Sequence, residues 1–424
     1  MTEKEHTIVK IQSLEGKVLV TWSDGSVSPF HFIWLRDNCR CADCGEPTIG
    51  RRTLRLTDLS LDVRPTDITV NHYANRHGSS RESPSCLKTD QPGTGQVGID
   101  QSGISQLAIK WSDGHESIFS DHWLQTYRYD RPFRISQCFK PPLWDRPILE
   151  HPPEMLFDEV NSSDDSLLEM LCHIRDHGLC FLKGAEAKDG VLEPFVNKIG
   201  YIQETNFGRV QDLVIDRTKP SIANDVTALK THTDEPYRAS PPGILMFHCI
   251  ATDVNGAGSS TFMDGFQLAE ILRQEDPEGF QALAQNRQTY RRHFAGDVDL
   301  VTEFPVISID EFGNICGIRI NDRVASPLNI DETQIEIYYR GLKRFLQLTE
   351  DPDRMILRIL QPGDIAIFDN HRILHGRTTI SMKGKRWLQW MQIERGDFYS
   401  TLRITADRLN IPRDANPLLR GAYS

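Results

Sequence analysis

Residues 368–377 read Phe368-Asp369-Asn370-His371-Arg372-Ile373-Leu374-His375-Gly376-Arg377, and Arg386 follows eleven residues after His375. Two apolar runs precede this stretch, Ile356 to Leu360 and Asp364 to Phe368, around a Gln361-Pro362-Gly363 turn. Short apolar runs bounded by turn residues read as buried strands, here as a strand pair. His375 then follows an apolar strand, and Arg386 is expected on a neighbouring antiparallel strand that faces the same cavity.

A second stretch far upstream, Thr231-His232-Thr233-Asp234, supplies what the first lacks. Residues i and i+2 of a strand point the same way, so His232 and Asp234 can face one ion. Two histidines and one carboxylate are the ligand set of a non-haem ferrous centre with three open positions. His375 is the candidate third ligand. His371, His248 and His293 are rivals; His371 and His248 rank behind because neither precedes a His-Gly-Arg-like step and an arginine at that distance. The fork of Arg386 suits the distal carboxylate of 2-oxoglutarate, bound in bidentate fashion.

The remaining chain bounds the reading. Its 424 residues suffice for two or three domains, and the net charge is −11. A protein that grips phosphate backbones shows the opposite balance, so nucleic acid is not an expected partner. No apolar run approaches the ~20 residues of a membrane span, so no membrane partner is expected either. The charged start, Met1-Thr2-Glu3-Lys4-Glu5-His6, has no apolar core. That predicts no secretory signal and a cytoplasmic protein.

An internal repeat organises the first part. Trp22-Ser23-Asp24-Gly25, Ser28, Phe30 and Trp34-Leu35 match Trp111-Ser112-Asp113-Gly114, Ser117, Phe119 and Trp123-Leu124 at the same spacing. Two copies predict two similar hairpins packed in one small β domain. Between them the polar stretch from about 77 to 103 reads as a surface loop. Residues 1–140 form this domain, 141–153 an extended proline-rich linker, and 154–424 a second domain. In the latter, helices are expected over 164–175, 191–199, 266–273, 331–348 and 397–409, and strands over 178–182 and 244–249.

Nine cysteines, three of them packed as Cys39-x-Cys41-x-x-Cys44, do not make a disulfide framework. The cluster has the density of a zinc site. The repeat brings His115, directly after Trp111-Ser112-Asp113-Gly114, towards it as fourth ligand. A closed three-cysteine, one-histidine set leaves no open position and would be structural. The bland alternative is three solvent-facing thiols on a loop.

The chain resembles the γ-butyrobetaine and trimethyllysine hydroxylase branch of the taurine-dioxygenase-like family. The residues that carry the resemblance run from Trp34-Leu35-Arg36-Asp37-Asn38-Cys39 to Leu402-Arg403. They include Asn206-Phe207-Gly208-Arg209, Leu229 to Asp234, Met263-Asp264-Gly265-Phe266, Arg319-Ile320-Asn321 and the stretch quoted first. The resemblance implies a mainly β fold with flanking helices, with a double-stranded β-helix (jelly roll) catalytic core. It implies iron at His232, Asp234 and His375, 2-oxoglutarate at Arg386, structural zinc with His115 as fourth ligand, and O2 as co-substrate. Ser260 falls where the family often places a hydroxyl near 2-oxoglutarate, and Asn321 matches an asparagine that lines its active site. A homodimer, with the zinc domain at the interface, is a further implication.

The pocket departs from this pattern. Positions that form the family's aromatic cage for trimethylammonium read Phe207, Gln211, Asn224 and Gln392. Amides lack the negative ring face that binds such a cation. Glu235 could meet an amine, and Arg209 or Arg323 a carboxylate. The expectation is therefore an Fe(II)/2-oxoglutarate dioxygenase that hydroxylates an aliphatic C–H of a small polar metabolite other than a trimethylammonium compound. Two alternatives stand beside it: a betaine hydroxylase whose cage is rebuilt from Tyr237 or Trp390, and a zinc-module binding protein with an inactive core.

Overall fold

The structure, a computed structural model, describes residues 7–46, 51–74, 85–87, 103–214, 227–252, 258–380 and 386–411. Asn224 and almost all of the 77–103 stretch lie outside them. The chain divides into two compact units, Met1–Cys138 and Phe139–Ser424.

In the first unit, Ile8–Leu14, Lys17–Trp22 and Val27–His31 form one antiparallel sheet. Pro65–Ala74, Ser85–Leu87, Gly103–Trp111 and Glu116–Ser120 form another. The sequence repeat is physical. Trp22 Nε1 donates to Ser28 Oγ and Trp111 Nε1 to Ser117 Oγ, each at 2.9 Å. Gly25 and Gly114 both take φ +83°, the left-handed conformation that the tight turn requires and glycine adopts without strain. Each hairpin runs into a short helix, Phe32–Asp37 or Asp121–Thr126. Trp22, Phe30, Leu35, Trp111, Phe119 and Leu124 meet in one core. Burying large aromatic surfaces from both copies is what holds so small a unit together.

The second unit contains two larger sheets. One has six strands, in the order Glu154–Leu156, Leu179–Lys183, Ile365–Asp369, Ile244–Thr252, Arg386–Ile393, Gln211–Val214. The other has four, in the order Leu229–His232, Ile373–Arg377, Ser260–Asp264, Ile356–Arg358. Helices flank them. Asp164–His177 starts at Ser163, whose Oγ accepts from Ser166 N at 3.4 Å, and stops at Gly178, φ +75°. Its face, with Leu167, Leu171 and Ile174, packs on strands of the six-stranded sheet. Gly265–Glu275, Pro277–Gln285 and Ile335–Leu348 share a second core.

Three expectations change. Ile356–Arg358 and Ile365–Asp369 are strands but not partners. The first pairs with Ser260–Asp264, the second with Leu179–Lys183 and Ile244–Thr252. The Pro-Gly turn therefore hands the chain from one sheet to the other. Likewise Arg386 lies on the opposite sheet from His375, not on an adjacent strand. The proline-rich passage is not an extended linker. Arg146–Glu150 is a helical turn, and Trp144 is buried, its Nε1 donating to His177 O at 2.7 Å. Arg372 explains this. Its guanidinium pairs with Asp264 at 2.8 Å and donates to Pro142 O at 2.7 Å, tying the passage to the sheet core. A large indole sheltered from water outweighs the extended preference of flanking prolines.

Candidate active site

His232 ends one strand of the four-stranded sheet and stands directly opposite His375 in the antiparallel ladder. Their rings lie 4.6 Å apart, centroid to centroid. Asp234 falls just past that strand, so it is backbone irregularity and not strand alternation that turns its carboxylate to the histidines. His232 Nε2 is 3.2 Å from Asp234 Oδ1, and His375 Nε2 is 3.4 Å from Asp234 Oδ2. The three ligand atoms all lie within 4.8 Å of one another.

The surroundings set these groups up for a cation. His232 Nδ1 donates to Lys230 O at 2.9 Å, which leaves Nε2 with its lone pair facing the carboxylate. Phe368 and Phe247 pack against the His375 ring at 4.8 and 5.6 Å. Burial works to raise the Asp234 pKa, yet the adjacent imidazoles, when they carry a proton on Nε2, outweigh it and hold the carboxyl far below the usual range. Two neutral imidazole nitrogens and a carboxylate converging in one buried place fit a divalent first-row metal. Neither His248, His371 nor His293 joins this group among the described residues.

Asn370 holds Asp234 in place. Its Oδ1 accepts from Asp234 N at 2.7 Å, while its Nδ2 donates to Asp234 O at 3.1 Å and Pro242 O at 3.0 Å. The residue is buried, so Asn370→Ala strands three backbone groups. Ferrous-iron affinity is expected to fall about 10- to 100-fold in that variant. Metal titration checks this, and an unchanged affinity would dismiss the clip.

Around the triad an inner cavity of about 200 Å³ is lined by His232, Asp234, His375, Ser260, Arg377 and Arg386, among others. Arg386 is buried, and its Nη2 donates to Ser260 Oγ at 3.4 Å across the two sheets. Burial, with Arg377 nearby, pushes the Arg386 guanidinium down to about 10. Among the described residues it has no carboxylate partner. A buried unpaired cation is costly, and a carboxylate entering the inner cavity would offset that cost. Arg386→Met is expected to raise the KM for 2-oxoglutarate about 100-fold, or ~3 kcal/mol. Steady-state titration of the co-substrate reads this directly.

An outer cavity of about 360 Å³ adjoins the inner one at Asp234. Phe207, Gln211, Glu235 and Asn321 line it. Asn321 thus lies on the outer side and not against the inner cavity, where Ser260 sits. Gln392 lines neither cavity. It is buried in the six-stranded sheet opposite Leu245. Tyr237 and Trp390 do line the outer cavity, with Arg292 and Arg323. Glu235 takes φ +50°, rare for a residue with a side chain, and its carboxylate is paired with Arg238. It is therefore not free to meet an amine. Arg209 pairs with Glu193 at 2.7 Å. Arg292 and Arg377 were not singled out in the sequence. For Arg377 a signal existed, since it stands two residues after His375 on one strand and shares its face. For Arg292 there was none.

In the first unit, Cys39, Cys41, Cys44 and His115 come together. His115 Nε2 is 3.2, 3.5 and 3.5 Å from the three sulfurs. Zn–S of about 2.3 Å and Zn–N of about 2.0 Å put tetrahedral N···S edges near 3.5 Å, so the four groups fit one zinc ion. Arg36 buttresses them, donating from Nη1 to Cys44 Sγ at 3.5 Å and pairing with Asp113 at 2.8 Å.

Residues 144–392 match the family described as taurine catabolism dioxygenase TauD, TfdA family. Residues 9–77 match the γ-butyrobetaine hydroxylase-like N-terminal family. The chain belongs to the TauD/TfdA dioxygenase family. As a TauD/TfdA dioxygenase it is an enzyme that uses ferrous iron and 2-oxoglutarate. It is 31% identical over 403 residues to a γ-butyrobetaine dioxygenase of Pseudomonas sp. strain AK-1, covering 92% of this chain and 94% of that one. It is 28% identical over 435 residues to a trimethyllysine dioxygenase of Meyerozyma guilliermondii, covering 97% and 98%. Among solved structures, the PvcB protein from Pseudomonas aeruginosa superposes with TM-score 0.42 at 21% identity, over 55% of this chain and 80% of that chain. Among the described residues no helix is long and apolar enough to cross a membrane.

Proposed function

We propose that this TauD/TfdA dioxygenase hydroxylates an aliphatic C–H of a small ammonium-bearing metabolite. The observation that carries this is the company of Phe207, Tyr237 and Trp390 in the outer cavity, which meets the inner one at Asp234. Three ring faces around a site are what a methylated ammonium prefers. The expectation that trimethylammonium compounds are excluded has no support here. It rested on amides at Gln211, Asn224 and Gln392, yet Gln392 lines neither cavity and Tyr237 and Trp390 bring aromatics from other positions. The relatives' names, γ-butyrobetaine and trimethyllysine dioxygenase, point the same way.

In this reading the two facing sheets are a double-stranded β-helix core, and the cysteine cluster is a structural zinc site. His232, Asp234 and His375 hold iron, while Arg386 with Ser260 orients 2-oxoglutarate in the inner cavity. When bound, iron would activate O2 with two electrons from 2-oxoglutarate, one oxygen atom ending in the C–OH and the other in succinate as CO2 leaves. The chain's own part is position and dryness. Phe247 and Phe262 wall the inner cavity against water, and the outer cavity aims one substrate carbon at the metal side. The test is succinate formation with γ-butyrobetaine, trimethyllysine and their unmethylated amines. Methylated compounds are expected to give about tenfold higher kcat/KM. Equal or better turnover of the unmethylated amines would overturn the cage.

A further inference from the structure

The outer cavity holds two guanidinium groups that its described surroundings leave without a carboxylate. Arg292 comes from the strand Arg287–Phe294 and Arg323 from the 3-10 turn Asp322–Val324. A bridge between Tyr290 and Ala325, and a 2.8 Å hydrogen bond from Ser326 N to Thr289 O, lock the two segments together. Among the described residues neither arginine forms an ion pair. Arg323 donates from Nε to Asn321 Oδ1 at 3.3 Å, and Arg292 lies over the Phe294 ring at 4.4 Å.

Asp322, next to Arg323 in the chain, attracts it without forming an ion pair among the described residues, and the other nearby acids are engaged elsewhere. Glu235 is paired with Arg238, and Asp299 with Arg291 at 2.7 Å. Asp212, also on the cavity wall, accepts from Trp387 Nε1 at 2.7 Å. Asp234 attracts Arg323, but its oxygens face the two histidines. Arg323 lines the inner cavity as well as the outer one. Burial and the like charge of Arg292 both disfavour its charged form. An anion between the two guanidiniums relieves the repulsion and offers planar, bidentate acceptors.

We propose that Arg292 and Arg323 clamp an acid group of the substrate, so that the substrate is a zwitterion. Its acid end, carboxylate or phosphonate, lies beside Arg323 near the metal-binding carboxylate. Its ammonium end faces Phe207, Tyr237 and Trp390. Only the ammonium half rests on the function proposed above.

The chain loaded with Fe(II) and 2-oxoglutarate, without oxygen, is titrated with four probes. These are γ-butyrobetaine, its phosphonate analogue, butyltrimethylammonium, which lacks the acid, and butyrate, which lacks the ammonium. Wild type is expected to bind γ-butyrobetaine about tenfold or more tightly than butyltrimethylammonium. Arg292→Gln and Arg323→Gln should each lose about tenfold for the acid-bearing probes and nothing for butyltrimethylammonium. Arg→Lys at each position, with melting curves for all four variants, separates loss of charge from loss of fold. A larger loss for the phosphonate assigns a dianionic acid, and an equal loss a carboxylate. If butyrate binds and depends on both arginines while butyltrimethylammonium does not bind, the clamp stands and the ammonium reading falls. Acid-probe affinities within about twofold of wild type in both folded Gln variants would overturn the clamp.

Discussion

His375→Ala is expected to lower 2-oxoglutarate turnover by about a thousandfold or more, whatever the substrate. The residue offers one of three converging ligand atoms, and its Nε2 lies 3.4 Å from Asp234. A metal worth several kcal/mol to the reaction is lost with its ligand, and each ~1.4 kcal/mol is tenfold in rate. The partner His232 stands opposite in the ladder, so His232→Ala should match it and the double variant should add little, as for groups that act as a unit. Succinate formation and bound iron are measured together. Substantial turnover in His375→Ala with iron retained would place the metal elsewhere. The same experiment disposes of the inactive-core alternative, since a binding module would be indifferent to this histidine.

The second large effect concerns the cysteine cluster. Purified protein is expected to carry about one zinc per chain, and a strong chelator or Cys44→Ser should abolish the cooperative melting of the first unit. Binding free energies of structural zinc sites are about 10–16 kcal/mol, on the scale of the entire stability of a domain at about 5–15 kcal/mol. Cys39 and Cys44 are buried, and the loop that carries them has few strand contacts of its own. Gly45–Glu46 and Arg51–Arg52 make only a two-residue ladder. A zinc ion bound by the four side chains would order that segment. Melting unaltered by chelation, with no zinc found, would return the cluster to solvent-facing thiols.

Much of this protein was legible in the chain because local chemistry sufficed. The Trp-Ser-Asp-Gly copies foretold paired hairpins because the same residues meet the same needs twice: a glycine at positive φ, a serine for the indole. The Cys39, Cys41 and Cys44 spacing carried a metal site because thiolates sharing an ion must start close. His232, Asp234, His375 and Arg386 could be picked out by residue type, since a metal and a dicarboxylate would accept few alternatives, and all four line the inner cavity. Tertiary structure decided what depends on which faces meet. Only the crossing of the chain between sheets puts Arg386 opposite His375, since a Pro-Gly turn does not say which sheet the next strand joins. Only packing buries Trp144, because proline preferences are weak against an indole's apolar surface. The pocket was least legible of all. Tyr237, Trp390, Arg292 and Arg323 reach one cavity from four separate segments, while Gln392, aligned with a cage position, does not line it. A cavity is a surface between elements, and no spacing along the chain encodes which side chains share it.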